Sequence, residues 1–275
     1  MRICISLFFI CFFAFAQTPL ELVKGQTLFL EFEKKDFIEV KNGDKKLNVF
    51  PHPNNDKKLV SLFSLPYKNP PKKSTITIVH TNKKENFMIY TQEGNYTSET
   101  IQVQVEKVFP PKTAQERITQ EAQETSALYK NYTQKALFNG TFQLPLESKI
   151  TSAYGKARVF NNSITSYHSG IDFRAKIGTA IKAANSGVVV LAKERYYAGG
   201  SIVIDHGYGI YSQYYHLSKL NVKVGQQVHK GQIIGLSGAS GRASGPHLHF
   251  GIIVALKQVD PLDFIAKFNL LFNEI

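Results

Sequence analysis

Past residue 16 the chain has no cysteine: both, Cys4 and Cys11, fall within the first sixteen residues. A disulfide framework is excluded for the rest of the chain, so packing, with or without a metal, must hold the fold. Long apolar runs are missing too. The longest, Ile3–Phe13, falls short of the ~20 residues that a membrane span needs. Acidic residues are few, 21 against 33 basic, and the formal net charge is +12. The excess is uneven. Residues 17–110 carry 14 basic and 11 acidic side chains, and residues 111–275 carry 18 and 10, for net charges of +3 and +8.

The opening MRICISLFFICFFAFAQ places Arg2 before the apolar run and Ala14-Phe15-Ala16 after it. This pattern predicts a secretory signal peptide over residues 1–16, and no transmembrane segment in the mature protein. Cys11 lacks the preceding small residues of a lipoprotein signal. The expected location is therefore exported, and periplasmic in a two-membrane cell. Export argues against nucleic acid as the partner of the basic half. An anionic envelope polymer suits it better, and a solubilising lysine surface accounts for the same excess.

Residues 17–110 read as a small β-sandwich-like domain. LFLEFE, FIEV, KLNVF, STITIVH and ENFMIYTQ are separated by Asn/Asp/Gly/Pro turns, and TIQVQVEKVF alternates like a last strand. No catalytic constellation occurs there; His52 and His80 stand alone. After Pro110-Pro111, Thr113 and Glu116 form a T-x-x-E capping pattern. Ile118, Ala122, Thr125, Tyr129 and Tyr132 follow at helical spacing, with the charged residues off that stripe. A linker helix of about five turns is expected within 111–138, ending near Asn139-Gly140. Residues 139–275 are β-rich with glycine turns and a short helical tail. The fold expected overall is mainly β, with two β domains joined by a helix.

The chemistry gathers late in the chain. In SGPHLHFGI, a strand would place His247, His249 and Gly251 on one face and Leu248, Phe250 and Ile252 on the other. A catalytic zinc takes three His, Asp or Glu ligands and keeps one position open. His247 and His249 supply up to two. His168 and Asp172, in SYHSGIDFRA, are further candidates. On a straight strand they would stand ~13 Å apart, so a bend is required, and Gly170 permits it. His216 follows Ile210, Ser212 and Tyr214 on what a regular strand makes a single face. His206 and Asp205 read as structural, and His229 as an exposed turn residue.

YHSGIDF, DHGYGIYSQYYHL and SGPHLHF, in this order, resemble the lysostaphin/LytM-type zinc metallopeptidases over about residues 148–262, with SAYGKAR and VGQQVHKGQIIGLSG as further matches. The resemblance implies a LytM-like antiparallel domain of barrel-sandwich hybrid type, a Zn2+ cofactor held by His168, Asp172 and His249, and His216 and His247 as catalytic acid/base and transition-state groups. It implies that His247 works on the water at the metal and that a protonated His216 supports the oxyanion. The small residues before the HLH pair, Ser240 and Gly241 among them, would line a groove for an extended peptide, with Tyr154 and Arg158 as candidate walls.

The implied substrate is the stem peptide of peptidoglycan, cleaved at the D-alanyl–diaminopimelate cross-link with added carboxypeptidase action, as in enzymes that set cell shape in helical bacteria. The N-terminal domain would then be an intramolecular cover for the groove. Two positions depart from the family pattern: Ala180 stands where proline is common and Gly251 where glutamate is common. Three rival readings are a non-catalytic LytM-like activator of amidases, a lipoyl-like carrier domain and a closed zinc-binding module. The first loses zinc ligands that are all present here, and the second needs a carrier lysine that is absent.

Overall fold

The computed structural model describes residues 19–162 and 164–273, so the leader expected over residues 1–16 lies outside the described residues. Alternation builds the first sheet. Lys73–His80 buries Ser74, Ile76, Ile78 and His80, and Lys84–Gln92 buries Phe87 and Ile89, each from one face. The sheet runs Leu20–Val23, Lys84–Gln92, Lys73–His80, Phe37–Asn42, Lys45–Lys46. Its first pair is parallel and the rest antiparallel.

A second sheet has Lys58–Ser64 between Thr27–Glu33 and Val49–Pro51. Its central strand, KLVSLFS, is buried on both faces, so its sequence shows no apolar–polar alternation. Leu59 and Phe63 join the core shared with the first sheet, giving the expected sandwich. Val60 and Leu62 point the other way, into the core of the C-terminal module. The two modules therefore share apolar packing. Phe29 adds to it, with its ring 5.8 Å from Phe264 and 6.3 Å from Phe268.

The connecting helix α1 spans Lys112–Lys130. The T-x-x-E pattern does not cap it. Pro111 is the N-cap, no side-chain cap bond forms, and Thr113 already lies inside the first turn. Proline is preorganised for helix entry and takes the place the hydroxyl was expected to fill. The helix also stops short of Gly140. One charged residue lies on the buried stripe, contrary to the sequence pattern. Glu121 is buried, pairs with Arg117 at 2.7 Å and accepts a hydrogen bond from Tyr196 N at 2.9 Å.

The segment expected as the last N-terminal strand is also repositioned. Ser98–Ile101 forms a strand, and Val105–Lys107 turns into a 3-10 helix. Ser98–Ile101 pairs in parallel with Ala157–Phe160 of the C-terminal module, placing Glu99 opposite Arg158.

The C-terminal module is a ten-stranded antiparallel sheet. Its main path is Ile150–Ser152, Ile171–Arg174, His247–Val254, Ile210–Leu220, Gly199–Gly207, Gly187–Arg195, Gln227–Val228. The tail helix α2, Pro261–Leu270, is capped by Asp260, whose side chain accepts from Leu262 N at 2.9 Å. Among the described residues no helix is long and apolar enough to cross a membrane.

Candidate metal centre

His168 sits in the link between strands Ile164–Tyr167 and Ile171–Arg174. The bend required by the sequence is here, and Gly170 is needed for space. A Cβ at residue 170 would lie 2.3 Å from the Phe250 carbonyl oxygen and 2.8 Å from His249 Nε2. Strand Ile171–Arg174 pairs with His247–Val254 in a register that sets Asp172 opposite His249 and Arg174 opposite His247. His249 is buried on one face, while Leu248, Phe250 and Ile252 fill the core from the other.

Three ligand atoms converge. Asp172 Oδ1 lies 2.9 Å from His168 Nε2 and 2.9 Å from His249 Nδ1, and these two nitrogens are 2.9 Å apart. His168 Nδ1–H donates to the Ala153 carbonyl at 2.9 Å, which leaves Nε2 of the neutral ring as a lone pair. That lone pair and a carboxylate oxygen face each other with no hydrogen between them. A cation resolves this, and two imidazoles plus a carboxylate form a donor set able to chelate one. Burial would raise the Asp172 carboxyl, but the imidazoles of His168 and His249 against it hold it well below the usual carboxylate range. Burial pushes His249 down to about 4, against the pull of Asp172.

Two more imidazoles flank the cluster. His247 Nε2 is 3.8 Å from Asp172 Oδ1, and its Nδ1–H donates to the Gly245 carbonyl at 2.8 Å. His216 Nδ1–H donates to the Ser240 carbonyl at 2.8 Å, and its ring lies 4.6 Å from that of His247. Two carbonyls of one loop thus fix both tautomers, leaving each Nε2 as an acceptor. Burial, then the neighbouring His247 and His249, push His216 down to about 3, which favours the neutral ring.

His216 reaches the site by breaking its strand's alternation. Tyr215 is the cross-strand partner of His249 and stacks on it at 5.4 Å, while Ile210 and Tyr214 face the core. At φ 63°, His216 adopts a left-handed backbone and leaves the face it would share with them.

The small residues of the loop divide by role. A Cβ at Gly238 would meet Ser218 N at 2.7 Å, and one at Gly241 (φ +75°) would meet Gly199 N at 2.4 Å, so both serve close backbone packing. Ser240 Oγ is engaged with the Leu217 carbonyl at 2.8 Å and Gly200 N at 2.9 Å. Gly245 alone of these glycines faces open space. Gly251 lies opposite Gln213, where a Cβ would sit 2.7 Å from Gln213 Oε1.

Of the candidate walls, Tyr154 is buried away from any groove. It packs among Tyr67, Tyr96 and Tyr167 and donates to the Gln258 carbonyl at 2.9 Å. Arg158 turns inward, and its Nη2 meets Asp172 Oδ2 at 2.6 Å. Sequence reasoning missed Tyr215, Ser152 and Glu99. His206 bridges the Ser186 carbonyl and Ser212 Oγ in the core, Asp205 accepts from Thr133 and Gly207, and His229 is exposed.

Residues 166–261 match the model of peptidase family M23. Peptidoglycan DD-endopeptidase ShyA of Vibrio cholerae is 47% identical over 95 residues, which is 34% of this chain and 22% of that one. Lysostaphin of Staphylococcus simulans is 44% identical over 106 residues, 36% and 22% of the two chains. This chain thus spans about a fifth of the length of either relative. A crystal structure assigned to peptidase M23 from Pseudomonas aeruginosa superposes with a TM-score of 0.67 at 25% identity, covering 90% of this chain and 96% of that one. The agreement takes in the N-terminal module as well as the sheet that carries His168, Asp172 and His249, and all three of these residues fall within residues 166–261, the segment that matches the model of peptidase family M23.

Proposed function

We propose that the protein is an exported, zinc-dependent hydrolase of peptidoglycan cross-links, acting in the periplasm on the D-alanyl–diaminopimelate bond, with carboxypeptidase action on pentapeptides as a second outcome. The observation that carries this is the pairing of a three-ligand cluster with two imidazoles whose Nε2 atoms are free acceptors. The relative ShyA is named a peptidoglycan DD-endopeptidase, which supports peptidoglycan as the substrate class and an endopeptidase reaction.

His168, Asp172 and His249 would hold zinc, which would supply Lewis acidity and lower the pKa of a water toward neutrality. The chain's own residues do the proton work. His247 Nε2, beside the cluster, accepts the proton of the attacking water and returns it to the departing amine nitrogen as the peptide C–N bond breaks. The Gly245 carbonyl keeps the ring in the tautomer this requires. Neutral His216 presents a second acceptor on the same side and orients water or the scissile amide's N–H. Tyr215 stacks on His249 and shields it from solvent.

The test is digestion of purified sacculi by zinc-loaded protein, with muropeptides identified by mass spectrometry beside His247→Ala. Loss of cross-linked dimers with the wild type only is expected. Unchanged dimers and pentapeptides in both samples would overturn the reading.

A further inference from the structure

Glu99 lies outside the family-matched segment, on a strand that follows the N-terminal sheets in sequence and pairs with Ala157–Phe160, yet its carboxylate ends a hydrogen-bond chain that begins at the metal ligands. Two branches meet there. In one, His168 Nδ1 lies 3.1 Å from Ser152 Oγ, and the Ser152 hydroxyl donates to Glu99 Oε1 at 2.8 Å. In the other, Asp172 Oδ2 accepts from Arg158 Nη2 at 2.6 Å, and Arg158 Nε donates to the same Glu99 Oε1 at 2.7 Å. Lys156 Nζ holds Glu99 Oε2 at 3.1 Å.

The chemistry divides the Asp172 carboxylate. Oδ1 faces His168 and His249, and Oδ2 is committed to Arg158, so the carboxylate is set to offer one oxygen to a metal. An unpaired guanidinium beside that carboxylate would compete for both oxygens. With Nε anchored on Glu99, Arg158 presents one Nη2 edge only. Ser152 would otherwise be free to rotate its hydroxyl toward a ligand. By taking its hydrogen, Glu99 leaves a Ser152 lone pair facing His168 Nδ1–H. Parallel pairing of Ser98–Ile101 with Ala157–Phe160 fixes Glu99 opposite Arg158.

We propose that Glu99 is a positioning residue of the metal centre, holding His168 through Ser152 and Asp172 through Arg158, so that a strand preceding the family-matched segment completes the site. This rests on the ligand assignment and not on the substrate.

The experiment uses the full mature chain with Glu99→Gln, Glu99→Asp and Glu99→Ala. Zinc affinity is read by competition with a chromophoric chelator, the ligand field by the visible spectrum of the cobalt-substituted protein, and folding of the metal-free form by thermal melting. Loss of an outer hydrogen-bond partner weakens metal binding by ~10–100-fold, and that loss is expected for Glu99→Gln with a shifted cobalt spectrum. Glu99→Asp should recover part of it. If Glu99→Ala fails to fold, Glu99→Gln, nearly isosteric, carries the test. Wild-type zinc affinity and an unchanged cobalt spectrum in Glu99→Gln would overturn the proposal. Both readouts need no peptidoglycan, so a protein inert on sacculi that still loses affinity through Glu99→Gln would sink the substrate reading and leave this one standing.

Discussion

Asp172 and His249 are direct cross-strand partners, and their ligand atoms stand 2.9 Å apart. A single register on an antiparallel pair therefore builds two thirds of the ligand set, and the bend at Gly170 delivers the third, His168. Each ligand is held from behind as well: His168 by Ala153, Asp172 by Arg158 and His249 by the stacked Tyr215.

Asp172→Asn should all but abolish zinc binding. It removes the only carboxylate of the set and leaves Arg158 Nη2 without its anion. Metal content after gel filtration should fall to background, and affinity should fall beyond the ~100-fold typical of losing an outer partner. Zinc retained at one equivalent would remove Asp172 from the ligand set. The same assay with chelator should strip and inactivate the wild type, and added zinc should restore it.

His247→Ala and His216→Ala should separate binding from turnover. Neither ring contributes to the ligand triad, so each variant should bind zinc within about 3-fold of the wild type while losing on the order of 10²–10⁴ in kcat on a cross-linked muropeptide, the usual worth of a general acid or base. Parallel zinc titration and muropeptide kinetics decide it. Full turnover in either variant removes that histidine from the chemistry.

The candidate ligands were legible as short motifs in a fixed order, and the resemblance chose His168, Asp172 and His249 among them. His247 and His249 share a face by strand alternation, and Asp172 four residues after His168 demanded a bend that Gly170 supplies. What escaped depends on contacts distant in sequence. Strand Lys58–Ser64 was invisible because Leu59 and Phe63 serve one core and Val60 and Leu62 another, which erases alternation. Glu99 carries no local signal, being 59 residues from Arg158. Tyr154 looked like a groove residue because it lies within SAYGKAR, one of the segments that carry the resemblance, but its burial is set by Tyr67 and Tyr96 from the other module. His216 left its expected face through a backbone angle that no alternation pattern encodes.

Gly170→Ala and Gly245→Ala should behave oppositely. The first forces a Cβ against the Phe250 carbonyl and the His249 ring, so it should destabilise the fold by about 1–3 kcal/mol, as overpacking does, and weaken zinc binding with it. The second adds a methyl where nothing lies within 4 Å, so melting temperature and zinc affinity should be unchanged. Any effect of Gly245→Ala should fall on KM for the muropeptide, because the methyl enters open space beside His247. An unaltered melt and zinc affinity in Gly170→Ala would show that the strand link tolerates a side chain and that the bend is not set by space.

His206 should make stability depend on pH in a defined window. Burial pushes it down to about 4, only partly offset by its bond to the Ser186 carbonyl, while the unfolded chain titrates near 6.5. Between those values the unfolded state binds the extra proton, so stability rises with pH there; it is lost as pH falls from 6.5 toward 4 and is fully present above 6.5. The change amounts to about 3 kcal/mol in total, at ~1.4 kcal/mol per pH unit where the slope is one proton. His216 and His249 are also lowered and act in the same direction in the metal-free protein, so the wild-type slope alone does not isolate His206. The difference between wild type and His206→Gln does. Urea unfolding of both metal-free proteins from pH 4 to 7 should show the variant with one proton less of slope between 4 and 6.5, and parallel curves above 6.5. Parallel curves throughout the range would mean that His206 is protonated in the folded core or that its titration is not linked to folding.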